Sequence, residues 1–97
     1  MRHVLHPEAD AELANAIGYH SEINPELGVR FYGEMERLIT EVCVHPQRFR
    51  QFDPPARRHF SFWFPYAVIY LDEPDRVWIV AIMHMKQHPG YWKHRLS

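Results

Sequence analysis

Two consecutive segments, YAVIYL (66–71) and RVWIVAIMHM (76–85), limit the fold more than any other part of the 97-residue chain. Both are rich in β-branched and aromatic residues, and both are apolar at odd and even positions alike. In a strand, successive side chains point to opposite faces, so a strand apolar at every position must be covered on both sides. Asp72-Glu73-Pro74-Asp75 between them has the composition of a hairpin turn. These segments are therefore expected at the centre of a sheet, antiparallel to one another.

Upstream the periodicity is helical. His6-Pro7 marks a boundary, with proline suited to a first helical position and Glu8 and Asp10 suited to the positive end of the helix dipole. From Pro7 to about Ile23, Ala9, Leu13, Ala16, Ile17 and His20 recur at helical spacing, with Glu8, Glu12, Asn15 and Glu22 elsewhere. Asn24-Pro25-Glu26 ends this helix and caps a second, along which Leu27, Phe31, Met35, Leu38 and Val42 step by three or four residues. Gly28 and Gly33 weaken its first turns, and His45-Pro46 stops it. So short a connection predicts an antiparallel helical hairpin. A short strand around Val4 and Leu5 precedes it. Residues 45–56 read as a proline-bearing connector anchored by Phe49 and Phe52. In RRHFSFWF (57–64) strict alternation places Phe60, Phe62 and Phe64 on one face and Arg57, His59, Ser61 and Trp63 on the other. The predicted fold is α+β, ordered β-α-α-β-β-β, with the hairpin on one face of a small, mainly antiparallel sheet. One domain over residues 1–97 is all this length accommodates. Helices on one side leave aromatic surface from Trp63, Tyr66, Trp78, Tyr91 and Trp92 to be covered by something else.

Charge is divided unevenly. Residues 1–48 carry eight acids and four Lys or Arg, residues 49–97 four acids and seven Lys or Arg, within a net charge of −1. That balance does not favour nucleic-acid binding by the whole molecule, though it allows a local basic patch in the second half. A single cysteine, Cys43, excludes an internal disulfide and fits a reducing compartment. No apolar run approaches the ~20 residues of a membrane span, and MRHVLHPEADAEL lacks the apolar stretch of a signal peptide. The expected location is the cytoplasm. His84 and His88 are four apart, but Pro89 and the preceding strand oppose a shared helix face. Without HExxH or paired cysteines, neither metal nor cofactor is expected.

The run RRHFSFWFPYAVIYLDEPDRVWIVAIMHMKQHPGYWKHR resembles the end of the RelE/ParE toxin superfamily, with its paired arginines, "FPY.I.Y", acidic turn, apolar strand and "H..R.P.YW..R". HPEADAELANAIGYH and PELGVRFYGEMERLITEVCVHP resemble that family's first helix and its "LG..F" helix start. The resemblance spans essentially the whole chain. It implies the toxin of a prokaryotic type II toxin–antitoxin (plasmid stabilization) system, which inhibits growth and is neutralised by an antitoxin encoded beside it. It also implies one of two targets: DNA gyrase for ParE-like members, or ribosome-bound mRNA for RelE-like endoribonucleases.

Cleavage of RNA needs proton transfer and positive charge at the phosphate. His84, Tyr91 and also His88 could move protons; Lys86, Arg95, Arg57 or Arg58 could supply charge. Against the RelE pattern, Lys86 falls near an essential arginine, Trp92 near a tyrosine, and Ala67 where another arginine is sought. An indole only donates a hydrogen bond and cannot replace a phenol in acid–base work. The ParE-like reading is therefore favoured, with Arg57, Arg58, Trp63, Lys86, Tyr91, Trp92, Lys93 and Arg95 as candidate antitoxin- or target-binding residues. Were the chain a nuclease, His84, Lys86, Tyr91 and Arg95 would be its catalytic set. Packing is the alternative role for His84, Tyr91 and Trp92, and plain solvation for Arg57 and Arg58.

Overall fold

The computed structural model describes residues 2–96 and shows the predicted order with one added strand. Strand β1 (His3–Leu5) leads into α1 (Pro7–Ile23) and α2 (Pro25–Val44). Four strands follow: β2 (Gln51–Asp53), β3 (Ala56–Phe60), β4 (Tyr66–Asp72) and β5 (Val77–His84), then a 3₁₀ turn at Lys93–Leu96. They form one mixed sheet in the order β1-β5-β4-β3-β2, with β1 parallel to β5 and the remaining pairs antiparallel. The two strands apolar throughout, β4 and β5, sit together inside it.

The helical hairpin is tight because one residue serves both helices. The Asn24 backbone N–H donates to His20 O at the end of α1, while Asn24 Oδ1 accepts from the Glu26 N–H at the start of α2 at 2.8 Å. At the other end of α1, His6 Nδ1 accepts from the Glu8 N–H. Gly28 is a packing requirement rather than a weakness, since a Cβ there would lie 1.9 Å from Ser21 Oγ on the facing helix. Phe31, Met35, Leu38, Ile39 and Val42 of α2 pack with Ala9 and Ala16 of α1 against Val68, Tyr70, Val77, Ile79 and Ile82 of the sheet.

Three expectations change. The connector at 45–56 contributes the edge strand β2, and Phe52 within it packs beneath the far face. In β3 the alternation holds through Phe60 and then breaks. Ser61 Oγ accepts from the N–H groups of Trp63 and Phe64, which turns the chain out of the strand. Phe62 is consequently 91% exposed, whereas Phe64 turns inward onto His20 and Phe31 at 5.3 and 5.1 Å. In β5, Ile69 pairs with Ala81 but Tyr70 with Ile79, so Val80 is the extra residue of a bulge. The bulge reverses side-chain parity. Val80 joins the far-face cluster while Ile82 joins the helix side, so the strict alternation expected of a strand, which would put these two on one face, does not hold along β5.

The far face of the sheet is covered by the C-terminal tail. Trp92 is wholly buried there among Ala56, Ala67, Ile69, Val80, Ala81 and Met83. Tyr66, by contrast, packs on the helix side. Strand alternation and the observed turn make opposite statements about Phe62 and Phe64, and truncation separates them. Phe64→Ala should cost about 2 kcal/mol or more, somewhat below the ~3–5 of a fully buried phenylalanine. Phe62→Ala should stay within about 0.5 kcal/mol. Urea unfolding of the two variants measures both.

Candidate functional site

Four of the residues singled out from the sequence, Tyr91, Trp92, Lys93 and Arg95, gather in the C-terminal tail, and a helix carboxylate holds that tail in place. Strand β1 pairs with β5 only as far as Ile79, where His6 N–H donates to Ile79 O. Beyond that point the outer edge of β5 has no strand beside it. Glu12, from α1, fills the gap: Oε1 accepts from the Ile82 N–H at 3.0 Å and from Arg95 Nη1 at 2.9 Å. Its Oε2 accepts from Arg95 Nη2 at 3.0 Å and from the Tyr91 hydroxyl at 2.5 Å. Arg95 Nη1 also donates to Val80 O at 3.0 Å, the carbonyl of the bulge residue. Two of the backbone groups left over by the end of β1 are thereby satisfied, and a third, the His84 N–H, donates to Gln87 Oε1.

Arg95 is only 7% exposed. Its Nε lies 2.9 Å from Glu8 Oε2, an ion-pair distance, but outside hydrogen-bond geometry. Charge-assisted, bidentate Arg–carboxylate contacts of this kind are the strong ones. Burial, and then the Glu12 hydrogen bond, raise the Tyr91 hydroxyl well above the ordinary phenol range, so it stays protonated as a donor. Trp92 beside it has an Nε1 with no hydrogen-bond partner among the described residues. Its indole lies in the cluster floored by Ala56, Ala67 and Ala81, with the Phe52 ring 5.8 Å away. Ala67 and Trp92, the two residues that depart from the RelE pattern, therefore belong to one packing unit: the small side chain makes room for the large one.

The other candidates are dispersed. Arg57 lies on the helix side and donates to Phe49 O at 2.9 Å, tying down the loop after α2. Arg58 faces the opposite way, its guanidinium 4.3 Å from the Phe52 ring centre and 4.5 Å from that of Phe60. Lys93 reaches across to Asp53 of β2 at 2.8 Å. Lys86 is exposed in the turn after β5, where its N–H donates to His84 Nδ1. The His84 ring meets Tyr66 edge-on at 4.9 Å. The structure brings Tyr91, Trp92, Lys93 and Arg95 together; Arg57 and Arg58 occupy opposite faces of the sheet. Trp63 stands alone at the far end of β3, 75% exposed.

Around Trp63 lies a second constellation, which sequence reading passed over except for the tryptophan. Glu34, 7% exposed, accepts from Arg37 Nε at 2.8 Å and Nη2 at 2.9 Å, and from Ser61 Oγ at 2.7 Å. Ser61 in turn organises the loop that displays Phe62 and Trp63. The Arg37 hydrogen bonds hold Glu34 below the ordinary carboxylate range against the opposing effect of burial, and Ser61 adds to the lowering. Helical spacing contained a signal for both acids, half-buried Glu12 and buried Glu34. Glu12 falls three and four residues from Ala9 and Ala16, and Glu34 three and four from Phe31 and Leu38. Among the described residues no group of three or more His, Cys, Asp or Glu could hold a metal ion. No helix is long and apolar enough to cross a membrane.

Comparison with known proteins places this geometry. A family model described as the ParE toxin of the type II toxin–antitoxin system parDE matches residues 4–89. Tyr91, Trp92, Lys93 and Arg95 lie beyond that match. A solved structure of a chromosomal ParDE toxin–antitoxin system from P. aeruginosa superposes with a TM-score of 0.77 over 89% of this chain and 97% of that one, at 14% identity. No curated protein matches the sequence.

Two outcomes test the two carboxylates. Glu12→Ala leaves Arg95 only Glu8 and the Val80 carbonyl and should cost about 2–4 kcal/mol by denaturant unfolding, somewhat below the ~3–5 of a fully buried pair broken outright. A loss under 1 kcal/mol would dismiss the clamp. Glu34 has a depressed folded-state pKa. Its contribution is therefore full above the unfolded carboxyl value of about 4.3, and is lost as pH falls from there through the folded value. Glu34→Gln should flatten the stability–pH profile in that window and leave its shape at higher pH unchanged.

Proposed function

This chain belongs to the ParE toxin family of type II toxin–antitoxin systems, and we propose from that membership that it is a cytoplasmic toxin acting by binding, with DNA gyrase as its target and a cognate antitoxin as its inhibitor. The gyrase assignment follows the ParE-like character of the sequence. The observation that favours binding over RNA cleavage is the Glu12 clamp. Tyr91 and Arg95, the phenol and the guanidinium that a nuclease would draw on, are both committed to one helix carboxylate. A general acid must give up its proton in the transition state. Tyr91 is buried and bonded in a way that opposes that loss. Arg95 already has its charge compensated, and its Nη1 spans a carboxylate and a backbone carbonyl. Freeing either group for a phosphate would sacrifice the closure of the β5 edge.

His84 and Lys86 are the remaining members of the nuclease set. His84 ends β5 and Lys86 lies in the turn after it, where His84 Nδ1 already accepts the Lys86 N–H. A base and a cation without a positioned acid are a poor basis for transesterification. Protein binding asks only for exposed, well-held surface, and the loop around Trp63 and the cation at Lys86 supply that.

The deciding experiment uses the purified chain. It should inhibit ATP-dependent supercoiling by gyrase in vitro, and stoichiometric antitoxin should relieve the inhibition. Expression without antitoxin should give filamentous cells with an SOS response. Undisturbed supercoiling, together with mRNA cut in ribosome-bound frames, would replace this reading with the ribosome-dependent endoribonuclease.

A further inference from the structure

The loop after β3 presents its aromatics to solvent in a fixed geometry. Phe62 is 91% and Trp63 75% exposed, yet the backbone beneath them is held through Ser61 to buried Glu34, which the exposed Arg37 pairs from outside. Exposed rings on a loosely held loop would lose conformational entropy on docking; rings on an anchored loop lose much less. Next to Trp63 a shallow groove runs over α2, lined by Trp63, Arg30, Gly33 and Glu34. Its floor is open at Gly33, where a Cβ would meet nothing within 4 Å. One turn earlier on α2 a second groove, almost wholly apolar, is lined by Pro25, Glu26, Val29 and Arg30. Val29 is 72% exposed.

Arg30 is common to both grooves. Among the described residues it has no hydrogen-bond or ion-pair partner. The acid one turn on, Glu34, is fully engaged by Arg37 and Ser61. The acid one turn before, Glu26, lines the far rim of the outer groove and makes no ion pair with Arg30. The surface is thus an unpaired guanidinium set between a mixed depression and an apolar one, bordered by a tryptophan on an anchored loop. Tryptophan and arginine are the side chains most enriched where binding energy concentrates.

We propose that this face, Val29–Arg30–Gly33 of α2 with Phe62 and Trp63, docks an amphipathic segment of the antitoxin. The segment carries one acidic residue between two large apolar side chains. The acid pairs with Arg30, one apolar side chain lies against Trp63 and Gly33, and the other fills the groove at Pro25 and Val29. Glu26 at the outer rim disfavours a second acid there, so the pattern is a single carboxylate flanked by apolar residues rather than an acidic run. The inference rests on the toxin reading above, because it assumes an antitoxin.

The test titrates the purified chain with the antitoxin encoded beside it. Arg30→Glu and Trp63→Ala should each weaken binding on the order of tenfold or more, with melting temperatures unchanged because both side chains are exposed. An antitoxin with lysine in place of the contacting acid should recover part of the Arg30→Glu loss. Folded variants that bind as tightly as wild type overturn the proposal and leave the toxin reading intact. So does loss of toxicity with undiminished antitoxin binding, which assigns the face to the cellular target. A wild-type chain that binds no antitoxin brings down both.

Discussion

A β-strand that outruns its neighbour leaves backbone donors and acceptors with no partner, and in this molecule the edge of β5 beyond Ile79 is such a place. Val80 and Ile82 are buried, so their backbone groups need partners within the protein. Glu12 and Arg95 supply them together. The carboxylate takes the Ile82 N–H, the guanidinium takes the Val80 carbonyl, and each neutralises the other. Their pairing draws α1 and the C-terminal tail to the same strand edge. With the tail in place Trp92 is buried and the far face of the sheet is closed. The helical layer and the tail thus cover opposite sides of one strand pair and meet at one ion pair.

The same economy explains the tail's departures from the RelE pattern. Trp92 fills space that Ala56, Ala67 and Ala81 leave open, so aromatic bulk on one element answers small side chains on three strands. Close packing makes such substitutions interdependent. Tyr91 and Arg95, which have the right chemistry for catalysis when taken singly, become structural once their partners are known. The surface proposed for an antitoxin lies elsewhere, on the aromatic loop and the exposed face of α2, where Arg30 has no ion-pair partner among the described residues.

Much of the architecture was legible in the chain. Both helices and their shared Asn24 boundary follow from proline, capping residues and a 3.6-residue apolar period, because these are local effects. The central position of β4 and β5 follows from two-sided apolarity. Strand β2 was not legible: Gln51–Asp53 is too short and polar to show a period, and it forms because β3 offers an edge. The end of β3 was hidden because alternation continues in the letters through Phe64, while the Ser61 hydroxyl turns the backbone just after Phe60. The bulge at Val80 was equally invisible, since every residue near it is apolar and a parity change leaves no mark.

For the site, the sequence by itself determined which chemistry was present. It contained a tail of aromatics and cations, a family pattern, and the acids at helical positions beside the core. Only the tertiary structure decided which of those groups are spent. Whether Arg95 faces a phosphate, a partner or Glu12 depends on a residue 83 positions away, and a long-range contact has no local signature. The same holds for Arg30 and Trp63, which are ordinary letters until the fold brings an anchored loop beside an unpaired guanidinium.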